Sequence, residues 1–327
     1  MSIKVGIPRA LLYYQYFPMW KTFFDTLGAE VVISAPTTKA ILADGASRLV
    51  AETCLPVKVF CGHAASLAKQ CDYLFVPSIR SIEARVFNCS KFLGLPDMIK
   101  AAVPESPPIL DTEVDINKGP RSFWMAIYGL ARHFTANPFL AKKATQMAME
   151  AHRAFRKMMW RESLTVPQAF DSLYVKNKIN TAQIPRKHRL KVALIGHSYL
   201  MHDEFINHRL SHRLETLGAQ VFMPEMVSPK ELRAAVLKLE DKVYWTHETE
   251  VVGAGGYYMS DFVDGVIGIA AFGCGPDSLM MDVVERYGRQ HKTKPFMYLT
   301  IDEHSAEAGI LTRLEAFLDM LARRKKQ

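Results

Sequence analysis

Two stretches of the chain share one order of apolar and polar positions. "IKVGIPRALLYYQYFPMWKTFFDTLGAEVVISAP" (3–36) and "LKVALIGHSYLMHDEFINHRLSHRLETLGAQVFMPE" (190–225) each open with a basic residue inside a short apolar run. A loop follows, then apolar residues at helical spacing, then Leu-Gly-Ala and a second apolar run. The pattern predicts strand, helix, strand in both places, with Gly28 and Gly218 stopping the helices. Lys4 to Lys191 is an offset of 187 and Gly28 to Gly218 one of 190, so the second copy carries three extra residues. Two such starts with matched punctuation predict two similar α/β domains.

Further buried-strand candidates are "DYLFVPSI" (72–79) and "DGVIGIAAFG" (264–273), each followed by a loop with a cysteine, Cys89 and Cys274. "PDSLMMDVVERYGR" (276–289) reads as a helix with Pro276 near its first turn. "TTKAILADGASRLVAE" has a helical pattern, and "ETCLPVKVFCGH" after it reads as a turn because Pro56 lies close to Cys54. "VPESPPILD" (103–111) is loop-like, residues 121–165 read as helix, and "IPRKHR" (184–189) reads as a linker. The expected organisation is a first domain over 1–117, a helical connecting segment over 118–188 and a second domain over 189–327.

Composition narrows the class. A 49% hydrophobic, 23% charged chain of 327 residues is that of an ordinary soluble protein large enough for two domains. It contains no apolar run of about 18 residues, so no membrane span is expected. "MSIKVGIPRALL" lacks the marks of a secretory leader, so the expected compartment is the cytoplasm. The net charge of +8 is spread along the chain and joins no nucleic-acid motif; nucleic acid is not expected, while an acidic small molecule or protein partner is.

Five cysteines, Cys54, Cys61, Cys71, Cys89 and Cys274, are too few for a disulfide scaffold. No C-x-x-C pair occurs, which argues against a zinc finger or a thioredoxin-like site. Cys54, Cys89 and Cys274 all fall in loops expected at the ligand-binding edge of the sheets. Their plain reading is small buried hydrophobes. If the two domains face each other, the three thiolates suit a soft metal centre with one position open. Cys61 and Cys71 read as packing.

Arg9 follows the first strand, and His197 and Tyr199 follow its repeat, where a small-molecule substrate would lie. Glu52 and Lys58 flank Cys54 and could order its turn. For Arg9, His197 and Tyr199, loop packing and hydrogen bonding are the plainer reading. His63 and His304 are lone histidines, more often structural than proton donors. "GAGG" (253–256) lacks the strand–helix context of a dinucleotide fingerprint, and no G-x-x-x-x-G-K-[ST] pattern occurs.

"ETCLPVKVFCGH", "NCSKFLGLPD", "FGCGPDSLMMD" and "DEHSAEAGILTRLEAFLDML" occur in this order. They resemble the motifs of acyl-CoA dehydratase activase-related proteins, relatives of 2-hydroxyacyl-CoA dehydratase subunits and double-cubane cluster proteins. The resemblance runs over nearly the whole chain. It implies two Rossmann-like (flavodoxin-like) domains with parallel sheets and an iron–sulfur cluster at their interface, held by Cys54, Cys89 and Cys274. A double-cubane 8Fe-9S cluster takes six cysteines in relatives and this chain has five, so a single 4Fe-4S cluster is expected. The resemblance also implies a separate ATP-hydrolysing iron–sulfur activator that supplies low-potential electrons for reductive, dehydratase-like or reductase-like chemistry on an acyl-CoA or another small molecule. A non-catalytic electron-transfer or cluster-carrier role is the alternative, and homo- and hetero-dimers are both open. "GHSYLMHDEF" departs from relatives, which carry an arginine and a proline near His197 and Ser198.

Overall fold

The computed structural model describes residues 2–175, 190–260, 262–291 and 294–326. Two compact units divide the chain: Met1–Phe155 with Tyr244–Thr246, and Arg156–Val243 with His247–Gln327. The linker expected over 184–189 lies outside the described residues.

The first unit runs β1 (Lys4–Ile7), α1 (Tyr13–Thr26), β2 (Glu30–Ile33), α2 (Lys39–Arg48), α3 (Leu55–Leu67) and β3 (Tyr73–Phe75). There follow β4 (Ser78–Ser81), α4 (Ser90–Leu93), α5 (Leu95–Ala102), β5 (Ile109–Leu110), β6 (Glu113–Asp115) and α6 (Pro120–Ala131). Its main sheet has the order β2-β1-β3-β5, and every pairing is parallel. The single strand expected over 72–79 is divided. Residues 73–75 join the main sheet, and β4 pairs with β6 in a separate parallel ribbon. Pro77 separates them, and proline cannot donate to a ladder.

A long helix, α7 (Pro138–Glu162), begins in the first unit and ends in the second, which continues with α8 (Val166–Tyr174). Next come β7 (Leu190–Ile195), α9 (Ser198–Met201), α10 (Leu210–Thr216), β8 (Ala219–Phe222), α11 (Pro229–Val236) and α12 (Glu248–Tyr258). The chain closes with β9 (Gly265–Ala271), α13 (Gly275–Gln290), β10 (Phe296–Ile301) and α14 (Glu307–Arg324). The sheet order is β8-β7-β9-β10, again all parallel. Counted from each unit's first strand, both main sheets read 2-1-3-4, and both units are Rossmann-like. The buried apolar run of β9 fits a central strand covered on both faces.

The repeat is physical as well as topological. Gly28 (φ 82°) and Gly218 (φ 89°) take the left-handed conformation that ends α1 and α10. In each unit two helices then meet at glycines. A Cβ on Gly45 or Gly62 would lie 2.0 Å from a carbonyl oxygen of the facing helix, Lys58 or Ile41. A Cβ on Gly253 of α12 would lie 2.6 Å from the Leu232 oxygen of α11. The "GAGG" stretch is therefore a helix contact. Among the described residues no helix is long and apolar enough to cross a membrane.

Candidate functional site

In the first unit Cys54 opens α3. It has extended backbone (φ −63°, ψ 148°), no side-chain capping bond and Pro56 in the first turn behind it. The turn expected across "ETCLPVKVFCGH" is thus a helix from Leu55 onward, because proline needs no partner for its missing N–H in a first turn. Lys58, one turn on, is 2% exposed, and its Nζ donates to the Ala51 carbonyl at 2.8 Å. That bond ties the first turn of α3 to the turn leading into Cys54. Glu52 is exposed.

Cys89 is the residue before α4, also extended (φ −62°, ψ 154°) and without a side-chain capping bond. It follows β4 through a loop and so does not sit directly beyond the main-sheet strand β3. The loop is pinned. Asn88 Nδ2 donates to the Ile79 carbonyl at 3.0 Å, and the Ser81 hydroxyl to the Val86 carbonyl at 2.7 Å. Phe87 N–H donates to the Tyr244 carbonyl at 3.1 Å, and Thr246 N–H to the Phe87 carbonyl at 2.9 Å.

The other two cysteines of this unit are packing. Cys61 is fully buried, which pushes its thiol up to about 11. Cys71 donates from Sγ to the Leu67 carbonyl at 3.3 Å, and burial raises its thiol as well. Its sulfur lies 2.5 Å from where a Cβ on Gly6 would stand, so that glycine makes room for it.

Arg9 donates its backbone N–H to Ser34 Oγ at 2.9 Å, and its guanidinium lies 5.9 Å from the Tyr13 ring centre. His63 is fully buried against Thr37 Oγ1 at 2.9 Å; burial first and the Arg9 charge second lower it to about 4. It is neutral near pH 7 and structural. Beyond the ends of β1 and β3, Leu11, Tyr13, Phe17, Pro77, Ile79 and Phe92 help to line an apolar pocket. Sequence reading missed this pocket, since its walls come from four separate segments.

The second unit places a different set at the same edge. Cys274 precedes α13 with φ −92°, ψ 107° and no side-chain capping bond, and its carbonyl accepts from Ser278 N–H at 3.2 Å. All three singled-out cysteines therefore stand at the start of a helix. The helices that follow Cys54 and Cys274, α3 and α13, run 13 and 16 residues.

Three residues on, Asp277 is fully buried. Its Oδ2 accepts the Ala271 N–H at 3.0 Å, and its Oδ1 contacts His197 Nδ1. His197 stacks on Tyr199, with ring centres 4.9 Å apart and planes 7° apart, and meets His247 edge-on at 6.0 Å. His247 precedes α12, and its Nδ1 lies 3.6 Å from Glu250 Oε2. Glu250 Oε1 accepts from Arg156 Nη1 at 2.8 Å. Burial alone would raise Glu250, but Arg156 and His247 outweigh it and hold the carboxyl well below the usual range.

His202 Nε2 lies 2.8 Å from Glu225 Oε1, both side chains buried. Glu240 stands beside Glu248, and burial first, Glu248 second, lift it to about 7. His304 lies in the turn before α14, its N–H donated to Asp302. Sequence reading selected His197 and Tyr199 but missed Asp277, His202, His247 and Glu250. Asp277 lay within a quoted motif, where an acid in a first helical turn looks like ordinary capping chemistry.

Among the described residues no group of three or more His, Cys, Asp or Glu side chains is arranged to hold a metal ion. Cys54 and Cys89 belong to the first unit and Cys274 to the second. Residues 4–227 match the family model described as CoA enzyme activase uncharacterised domain (DUF2229). The chain belongs to this family. The match takes in Cys54, Cys89, His197 and Tyr199 and ends before Cys274. Among curated proteins none matches the chain.

Proposed function

We propose that this CoA enzyme activase-family chain is an iron–sulfur protein of the 2-hydroxyacyl-CoA dehydratase type. It accepts low-potential electrons from a separate ATP-hydrolysing activator for reductive chemistry on a small molecule, an acyl-CoA being the first candidate. The observation that carries this reading is the shared setting of Cys54, Cys89 and Cys274. Each stands at a helix start, in extended backbone, with no side-chain capping bond. The donors fit the group in kind: soft sulfur ligands suit iron–sulfur clusters.

Cys54, Cys89 and Cys274 would hold one 4Fe-4S cluster, which when bound supplies one-electron chemistry that side chains cannot. Lys58 orders the turn before Cys54, and the bonds around Asn88 and Phe87 fix the Cys89 loop. The apolar lining of the first unit's pocket suits the hydrocarbon part of a substrate. Arg9, between the lining residues Pro8 and Ala10, offers charge to the polar part.

Anaerobic purification followed by iron analysis tests the reading. About four irons per chain are expected. Serine at Cys54, Cys89 or Cys274 should abolish the cluster, and serine at Cys61 or Cys71 should leave iron almost unchanged. Equal losses at all five positions would refute the ligand assignment. A full cluster with no turnover alongside an activator would favour an electron carrier instead.

A further inference from the structure

The second unit contains a polar arrangement that the iron–sulfur reading does not use. As a carboxylate Asp277 has only acceptor oxygens, and both are committed. Oδ2 takes the Ala271 N–H, a donor that cannot change role, at 3.0 Å. Oδ1 faces His197 Nδ1, so the bond forms only if that nitrogen carries its hydrogen. The neutral imidazole then keeps its lone pair on Nε2.

The ring is held as firmly as its tautomer is fixed. It stacks on Tyr199, and the loop behind it is pinned by Asn207 Nδ2, which donates to the Leu200 and Met201 carbonyls at 2.9 and 2.7 Å. Gly196 runs so close to β9 that a Cβ there would lie 2.6 Å from the Ile269 oxygen. His197 follows β7 and Asp277 follows β9, the two neighbouring strands at the turning point of the sheet order, where open α/β sheets bind ligands. Beside His197, the buried Ser198 Oγ has no hydrogen-bond partner. A buried hydroxyl in that condition is what a bound ligand or an ordered water completes.

We propose that His197 and Asp277 form a proton-transfer site, in which His197 Nε2 exchanges a proton with a hydroxyl or carbonyl oxygen of a bound small molecule and Asp277 fixes the tautomer. In the forward step the substrate O–H bond breaks and the Nε2–H bond forms. The imidazolium so produced is neutralised by the Asp277 carboxylate, and the proton returns to an oxygen of the product. His197 is the group that meets substrate; Asp277 is a positioning residue. The site needs no metal, so it stands or falls separately from the cluster.

The test reads the tautomer directly. In the 15N NMR spectrum of the whole protein, His197 should show a protonated Nδ1 and an unprotonated Nε2 in its neutral form. Asp277→Asn must turn its amide oxygen to the Ala271 N–H and its NH2 to Nδ1, which forces the hydrogen onto Nε2. Diethyl pyrocarbonate, which attacks an unprotonated imidazole nitrogen, should modify His197 in the native protein. In Asp277→Asn that reaction should slow by roughly tenfold or more, since the wrong tautomer offers no lone pair there. Asp282→Asn, exposed on the same helix, should behave as wild type. A protonated Nε2 in the wild type, a His197 the reagent cannot reach, or an unchanged rate in Asp277→Asn each overturns the proposal. If Asp277→Asn does not fold, the wild-type spectrum and its modification decide alone.

Discussion

Cys54 and Cys61 lie seven residues apart on one helix, and position alone separates their chemistry. Cys54 stands before the first turn, with no side-chain capping bond, whereas Cys61 lies inside the helix, fully buried, and its thiol is pushed up to about 11. A reading by residue type could tell them apart only through the proline that marks the helix start. The same blindness hid Asp277 and His247, whose partners lie 80 and 3 residues away. His63 shows how burial becomes a pH effect. Its native value, about 4, is below the unfolded value near ~6.5, so the unfolded chain takes up the proton first. Stability is therefore complete above pH ~6.5 and falls as pH drops toward 4, by about 3 kcal/mol for this one group. His63→Gln should flatten that limb, as read by urea unfolding at pH 7, 5.5 and 4.5. A limb of unchanged slope would mean that other groups set it.

Glu250 tests the opposite kind of group. Held low by Arg156 and His247, it contributes its full stability above the unfolded carboxylate range and loses it as pH falls toward its native value. Glu250→Gln leaves Arg156 and His247 without their carboxylate. It should cost roughly 3 kcal/mol near pH 7, as breaking a buried pair does, and the loss should shrink in acid. Denaturant titrations of the variant and wild type at pH 7 and pH 4 measure both quantities. A cost that is the same at both values would show that packing, not charge, holds the site.

Among the elements, strands and helix stops were readable because they rest on local patterns: apolar runs, Leu-Gly-Ala punctuation and prolines at helix starts. The pairing of helices was not. Gly45, Gly62 and Gly253 matter because of carbonyls on another helix, at distances of 2.0 to 2.6 Å from a Cβ, and nothing in their own neighbourhood says so. Gly129 and Gly309 are helical glycines with open space around them. Alanine should therefore act with opposite signs. At Gly62 or Gly253 it should destabilise by about 1–3 kcal/mol as the helices are forced apart. At Gly129 or Gly309 it should stabilise by about 0.5–1 kcal/mol, since alanine is the better helix former. Midpoints of chemical unfolding distinguish the two classes, and a loss at Gly129 as large as at Gly62 would contradict the packing argument.

At the scale of the whole molecule, two units with one strand order carry different chemistry at matching points. Each runs strand, helix (preceded in the second unit by the short α9), strand, two glycine-packed helices, strand, and the second of those helices begins after Cys54 in one unit and after His247 in the other. The first unit thus offers thiols and an apolar pocket, and the second offers histidines, carboxylates and one thiol. Such a division suits a protein that receives electrons and manages protons, and under the proposed function the electrons must come from elsewhere. The sequence contains no G-x-x-x-x-G-K-[ST] phosphate loop, and its net charge is +8. This polypeptide alone should therefore neither hydrolyse ATP nor turn over. With a cluster-bearing ATPase activator, a strong reductant and magnesium-ATP, its reduced EPR signal should appear. If the basic surface guides docking to an acidic partner, the rate of reduction should fall as salt rises from 50 to several hundred mM, where exposed charges about 10 Å apart become screened. Full reduction to the active state by dithionite alone, indifferent to ATP and to salt, would end the case for a separate activator.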